Sequence, residues 1–118
     1  MPILDVEIVG SVPNEERLAQ RLADAAGRAL DSRPEGTWVK VHRIDSDSYA
    51  ENAGTGEFSP VFISLILASP PQGATLKSQM AALTEAVALT LGRPAENVHI
   101  LLQPPARGRI SFGGKLQT

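Results

Sequence analysis

Residues 2–9 read Pro-Ile-Leu-Asp-Val-Glu-Ile-Val, a stretch in which apolar and acidic side chains alternate. Leu4, Val6 and Ile8 share one face of an extended chain, and the two acidic side chains share the other. Alternation of this period, with β-branched residues, predicts a β-strand. A second stretch, residues 60–67, reads Pro-Val-Phe-Ile-Ser-Leu-Ile-Leu and also begins with proline. It predicts a strand that is apolar on both faces.

Each of these strands is followed by the apolar spacing of an amphipathic helix and then by another strand pattern. The first helix is predicted to begin at an Asn14 cap and to run for about five turns, with Leu18 and Leu22 on its apolar side. The second helix is predicted over residues 76–91, and the additional strands over residues 38–44 and 97–102. The order is therefore β-α-β twice, with a long polar loop between the units.

This order predicts one α+β domain made from a duplicated unit. Both helices are expected on one face of a four-stranded mixed sheet, because βαβ crossovers are right-handed. An Arg-Pro pair follows each predicted helix, at Arg33 and at Arg93, which supports the duplication. The predicted parts are two βαβ units over about residues 2–44 and 60–103, a connecting loop over residues 45–59 and a C-terminal tail over residues 104–118.

The composition excludes several classes of function. The chain has 118 residues, a net charge of −2 and no cysteine, which fits one domain without disulfides or thiolate metal sites. Arg107 and Arg109 form a local basic pair rather than a stripe, so a nucleic-acid partner is not expected. No apolar run reaches the ~20 residues of a membrane helix, and the N-terminus lacks signal-peptide features. A soluble, cytoplasmic protein with no membrane partner is therefore predicted.

One face of the predicted sheet lacks a cover. Two helices can cover only one face, yet the strand over residues 60–67 is apolar on both. A large apolar sheet face left in water favours aggregation. Self-association is the simplest way to cover it, so an oligomer is predicted.

Pro2 is the candidate reactive group. Removal of Met1 would leave a secondary amine at the start of a strand. An apolar pocket near cationic groups would disfavour the charged amine and lower its pKa towards neutrality. Such an amine can take a proton α to a carbonyl and return it elsewhere. The structural alternative is that Pro2 only initiates the strand.

The repeated proline-initiated βαβ unit, followed by the tail sequence Ile-Ser-Phe-Gly-Gly-Lys-Leu over residues 110–116, resembles the tautomerase superfamily. That family includes 4-oxalocrotonate tautomerase, malonate semialdehyde decarboxylase and macrophage migration inhibitory factor. The resemblance covers essentially the whole chain. It implies a homotrimer with sheets facing inward, and a cofactor-free keto–enol tautomerase (an isomerase) with Pro2 as catalytic base. The predicted substrate is a small enol or 2-oxo acid. No metal site is predicted, because the chain has no cysteine and its two histidines have no neighbours at ligand spacing.

The resemblance further implies a set of substrate-binding residues. Arg33 and Trp38 match positions beside the proline and at the pocket mouth, and Phe112 belongs to the tail that walls the pocket. Lys40 and His99 match strand positions where the oxalocrotonate type carries an arginine. In two-unit members the second-half residue reaches the neighbouring subunit's proline, which favours His99 over Lys40.

Each of these residues also has a structural interpretation. Arg33 fits a helix-terminal charge, and Lys40 fits a solvated strand residue. His99 fits a hydrogen-bonded core histidine, and Trp38 fits a core or interface position. Two alternative functions are consistent with the sequence. One is a non-enzymatic trimer of the same fold that binds small molecules or partners. The other is a ferredoxin-like ligand-binding module with the same order of elements.

Overall fold

The computed structural model describes residues 2–118 and shows the β-α-β order twice along the chain. The elements are β1 (Ile3–Val9), α1 (Leu18–Ala29), β2 (Trp38–Ile44), β3 (Val61–Ile66), α2 (Gly73–Leu91), β4 (Val98–Leu102), β5 (Ser111–Phe112) and β6 (Lys115–Leu116). Single 3-10 turns lie at Ser46–Ser48 and Ala95–Asn97. Within residues 2–118, no helix combines the length and apolarity needed to span a membrane.

The four main strands form one mixed sheet in the order β2-β1-β3-β4. β1 pairs in parallel with β2, β3 pairs in parallel with β4, and the antiparallel pair β1–β3 joins the two units. The predicted α+β fold class is confirmed. In a ferredoxin-like sheet another strand splits the βαβ unit. Here the parallel strands of each unit are direct neighbours, so the ferredoxin-like alternative is wrong.

Both helices pack on the same face of the sheet. The buried side chains alternate along the central strands, at Leu4, Val6 and Ile8 in β1 and at Val61, Ile63 and Leu65 in β3. They form a single cluster with Leu22 of α1 and Leu83 of α2. Alternation places these strand residues on one face, so the helices cover that face together.

Most of the opposite face is left uncovered by residues 2–118, although Phe112 of β5 packs on Trp38 and Tyr49 packs on Phe62. Trp38 is 52% exposed and Leu101 is 65% exposed. Asp5 lies between Lys40 and Ser64 in the strand register. The uncovered face is the surface for which self-association is predicted.

Helix α1 begins later than predicted. Asn14 does not cap it; its Oδ1 accepts a 3.0 Å hydrogen bond from the amide of Glu16, which forms a local turn. Arg17 then adopts a left-handed conformation with φ 48°, so the helix starts at Leu18 and has 12 residues. The prediction of about five turns was wrong because the asparagine closes a turn of its own in place of the first helical turn.

Candidate active site

Pro2 lies buried at the beginning of β1, at one edge of a cavity of about 470 Å³. Its main-chain oxygen accepts a 3.0 Å hydrogen bond from the amide of Trp38, which anchors it to the neighbouring strand. The polar side chains that line this cavity come from three other segments: Asp31, Ser32 and Arg33 after α1, Ser69 after β3, and Gln79 of α2. The register of the two central strands brings these segments together, because the start of β1 lies beside the end of β3.

Arg33 is held at the cavity by a tight loop. Asp31 and Glu35 on either side of it have φ of 53° and 62°, a left-handed conformation that costs non-glycine residues about 1–2 kcal/mol. A side chain at Gly36 would lie 2.9 Å from the main-chain oxygen of Arg33, so this turn requires glycine. Among residues 2–118 the guanidinium of Arg33 has no hydrogen-bond or ion-pair partner. It is therefore free to bind a ligand in the cavity.

Arg93 occupies the corresponding position of the second unit, and its guanidinium donates three hydrogen bonds. Its Nη1 donates to the main-chain oxygens of Ser59 and Pro60 at 2.9 and 3.3 Å, and its Nη2 donates to that of Ser11 at 2.8 Å. Burial, together with the charge of Arg43, lowers the pKa of Arg93. The chain entering Pro60 and the turn after β1 thus accept three hydrogen bonds from the second arginine. Pro60 has an amide nitrogen that cannot act as a base.

The two aromatic residues of the predicted site lie against each other. The rings of Trp38 and Phe112 are 5.5 Å apart in an edge-to-face arrangement. The indole Nε1 of Trp38 donates a 3.0 Å hydrogen bond to the main-chain oxygen of Glu35. Trp38 and Arg33 line a second cavity of about 810 Å³ next to α1. Arg33 therefore lines both cavities, whereas Trp38 lines only the cavity next to α1.

Lys40 and His99 lie on the uncovered face of the sheet, away from the Pro2 cavity of their own chain. Lys40 Nζ is 3.1 Å from Asp5 Oδ1, and both side chains are partly in solvent. His99 is exposed, with its ring 5.5 Å from that of Phe62. An exposed His99 does not fit the core interpretation. It could meet a Pro2 cavity only if that cavity belonged to another subunit.

No sequence pattern connects Arg107 with Pro2. Its Nε donates a 2.8 Å hydrogen bond to Ser69 Oγ, and Ser69 lines the Pro2 cavity. The tail reaches this position because the amide of Ala106 donates to Leu67 O and that of Arg107 to Ala68 O, at 3.0 and 3.2 Å. The contact spans 38 positions in the sequence. Only the basic Arg107-Gly-Arg109 pair marked this segment, and it carries no information about where the tail packs.

Gln79 adds an acceptor without a partner. Its Oε1 is buried and makes no hydrogen bond among residues 2–118, although the side chain lines the Pro2 cavity. An unsatisfied buried acceptor costs about 1–3 kcal/mol. Within the same residues, no group of three or more His, Cys, Asp or Glu side chains could hold a metal ion. The cavity thus offers an arginine, a carboxylate, two serine hydroxyls and an amide around the proline.

No protein-family model and no curated protein matches this sequence. Solved structures match it over nearly its whole length. The structure of Pt0534 inactivated by 2-oxo-3-pentynoate superposes with a TM-score of 0.77 and 18% identity, over 98% of this chain and 95% of that one. The F6 fused 4-OT wild-type asymmetric trimer superposes with a TM-score of 0.77 and 20% identity, over 97% of this chain and 94% of that one. FG41 malonate semialdehyde decarboxylase inhibited by 3-bromopropiolate superposes with a TM-score of 0.71 and 24% identity, over 94% of this chain and 88% of that one.

These similarities identify the class of fold. The chain shares the fold of these structures, with both βαβ units on one chain, as its resemblance to the tautomerase superfamily predicts. Identities below 25% establish the fold, and the activity must be argued from the residues around Pro2.

Proposed function

We propose that this chain is a cofactor-free keto–enol tautomerase in which Pro2, freed by removal of Met1, is the general base for a small enol or 2-oxo acid. The observation that carries the proposal is that Pro2 and the unpaired Arg33 line the same cavity, with Pro2 buried at the head of the central strand. Met1 lies outside the described residues, so the free amine is part of the proposal.

The surroundings of Pro2 favour a neutral amine. Burial of the pyrrolidine ring and the positive charge of Arg33 disfavour the ammonium form, and the carboxylate of Asp31 on the same cavity favours it. We propose that burial and Arg33 outweigh Asp31. The neutral nitrogen takes a proton from C3 of a 2-oxo acid, and the C3–H electron pair becomes the C2–C3 double bond. The carbonyl π pair moves to the C2 oxygen, which then receives the proton from the Pro2 ammonium. Atoms and charge balance, and no redox partner is needed.

Arg33 is proposed to hold the substrate carboxylate. A guanidinium presents two parallel N–H donors that match the two oxygens of a carboxylate. Because no residue between 2 and 118 pairs with it, substrate binding breaks no existing ion pair of Arg33. Trp38 and Phe112 are proposed as the apolar wall beside Arg33, since their rings pack together next to the first residue of β1.

A homotrimer is proposed as the active assembly. The uncovered sheet face needs a cover, and three structures of the same fold are described as fused 4-OT trimers. In such an assembly, we propose that His99, which is exposed on the uncovered face, approaches another subunit's Pro2. Lys40 is already paired with Asp5, so it is proposed only as a secondary cation.

The proposal is tested by intact mass and by turnover of the phenylpyruvate enol. A mass without Met1 and a loss of at least a hundredfold in kcat for Pro2→Ala are expected, since general-base catalysis contributes about 10²–10⁴-fold. Pro60→Ala is the matched control and should keep wild-type kcat, because its nitrogen is an amide. A retained Met1, or equal rates for wild type and Pro2→Ala, would overturn the proposal. Ligand binding without turnover would then favour the non-enzymatic binding protein.

A further inference from the structure

The hydroxyl of Ser69 lines the Pro2 cavity with an unused donor. Arginine has only donors, so in the 2.8 Å contact Arg107 Nε donates and Ser69 Oγ accepts. The hydroxyl proton of Ser69 then has no acceptor among residues 2–118. It is available for an oxygen atom of a ligand in the cavity that Ser69 lines.

Arg107 is held beside Ser69 by one further guanidinium contact and by its main chain. Arg107 Nη1 donates to the main-chain oxygen of Thr118 at 3.2 Å, and its amide donates to Ala68 O at 3.2 Å. Its positive charge therefore lies one hydrogen bond behind the Ser69 hydroxyl and strengthens that hydroxyl as a donor. Donors held in place before reaction stabilise developing negative charge with little reorganisation.

Ser69 and Arg33 suit different oxygens of a substrate. The two-pronged guanidinium of Arg33 fits a carboxylate, which is charged before and after the reaction. The single O–H of Ser69 fits a single oxygen, and the C2 oxygen carries the negative charge that appears once the C3 proton has left. These two donors come from separate loops, after α1 and after β3, on the same cavity.

We infer that Ser69, polarised by Arg107, binds the C2 oxygen of a 2-oxo acid and stabilises its enolate, with Arg107 as a positioning residue. The inference rests on the proposed function for the identity of the reaction. The substrate class is then one that carries a carboxylate and a carbonyl oxygen on adjacent carbons. Arg107, in the tail, positions and polarises the Ser69 hydroxyl, a role that its sequence surroundings do not predict.

The kinetic test separates kcat from KM with the phenylpyruvate enol as substrate. Arg107→Gln and Ser69→Ala should lower kcat by about tenfold to a hundredfold with KM within about twofold, because the donor acts on charge formed during reaction. Ser69→Thr keeps the hydroxyl and should restore most of kcat. Arg33→Gln should instead raise KM. Arg109→Gln, an exposed arginine two residues along the same turn, should match wild type.

A binding measurement distinguishes failure of this inference from failure of the proposed function. Oxalate, a planar mimic of the enolate of pyruvate, is titrated by calorimetry into wild type, Pro2→Ala and Arg107→Gln, each checked for native circular dichroism. Weaker oxalate binding by about tenfold in Arg107→Gln alone supports the site, even if Pro2→Ala turns over normally. Loss of turnover in Pro2→Ala, together with wild-type kcat and oxalate affinity in Arg107→Gln, would overturn the inference and leave the proposed function intact.

Discussion

Arg93 Nη2 donates a 2.8 Å hydrogen bond to the main-chain oxygen of Ser11, 82 positions earlier in the chain. Its Nη1 also donates to Ser59, so one guanidinium ties together the exit of β1 and the entry of β3. Arg33 has the matching place in the first unit and has no such partners among residues 2–118. The arginines that follow the helices of the two units therefore differ in their contacts: Arg93 stabilises the fold, and Arg33 lines an open cavity.

The two arginines should respond oppositely to the same substitution. Arg93→Gln should lower the free energy of unfolding by about 0.5–1.5 kcal/mol, since it removes hydrogen bonds to three main-chain oxygens, of which only that of Pro60 is in a partly buried contact. Its kcat and KM, measured on the folded protein, should stay close to wild type. Arg33→Gln should leave stability within about 0.5 kcal/mol, because its guanidinium is exposed and unpaired.

Urea unfolding and steady-state kinetics on both variants check this contrast. A stable Arg93→Gln protein with raised KM would reverse the assignment of the two arginines.

Two glutamines provide a second contrast. Gln79 has a buried unpaired oxygen, whereas Gln103 Nε2 donates a 2.9 Å hydrogen bond to Ser64 Oγ. Gln79→Met should leave the free energy of unfolding unchanged or raise it by about 1 kcal/mol, because an unsatisfied polar group is removed. Gln103→Met should lower it by about 1 kcal/mol because a hydrogen bond is lost. Chemical denaturation of both variants measures these free energies of unfolding. Equal destabilisation would show that the Gln79 oxygen has a hydrogen-bond partner in solution.

The ends of the two helices predict a third pair of opposite effects. Both end in the same motif: Ser32 N donates to Gly27 O and Arg93 N to Ala88 O, across a residue in the left-handed conformation. That residue is Asp31 after α1 and Gly92 after α2, with φ of 53° and 66°.

Asp31→Gly should therefore raise the free energy of unfolding by up to about 1 kcal/mol, and Gly92→Ala should lower it by about 1 kcal/mol. An added Cβ at Gly92 meets only Pro13 Cγ at 3.7 Å, so crowding does not contribute. Thermal unfolding of both variants tests this, and destabilisation by Asp31→Gly would show that the carboxylate has a structural role.

The proposed assembly predicts that two exposed leucines differ. Leu101 is 65% exposed on the uncovered sheet face, and Leu89 is 79% exposed on α2. Leu101→Glu should dissociate the trimer, because a charge would be buried against the neighbouring subunit without a partner. Leu89→Glu should leave it intact. Light scattering coupled to size-exclusion chromatography reads out the mass, and a wild-type monomer would contradict the proposed trimer.

The order of strands and helices could be predicted because each depends on local periodicity. Leu4, Val6 and Ile8 repeat every second residue, and this signal needs no knowledge of the rest of the chain. The start of α1 could not be predicted, because Asn14 bonds to a neighbouring amide and supports a turn as well as a cap. Of the residues that line the cavity with Pro2, only Arg33 could be predicted from the sequence. Ser69, Gln79 and Arg107 reach the cavity through the packing of distant segments.

The sequence by itself determined the duplicated βαβ pattern and the candidate reactive proline, because both can be seen in local order and residue chemistry. Tertiary structure alone decided which cations are available to that proline. Strand register placed Lys40 beside Asp5, and the tail placed Arg107 beside Ser69. The chain entering Pro60 and the turn after β1 placed three main-chain oxygens on Arg93. The physical reason is that a guanidinium binds whatever oxygens the fold brings within 3 Å or so, and those oxygens lie far away in the sequence.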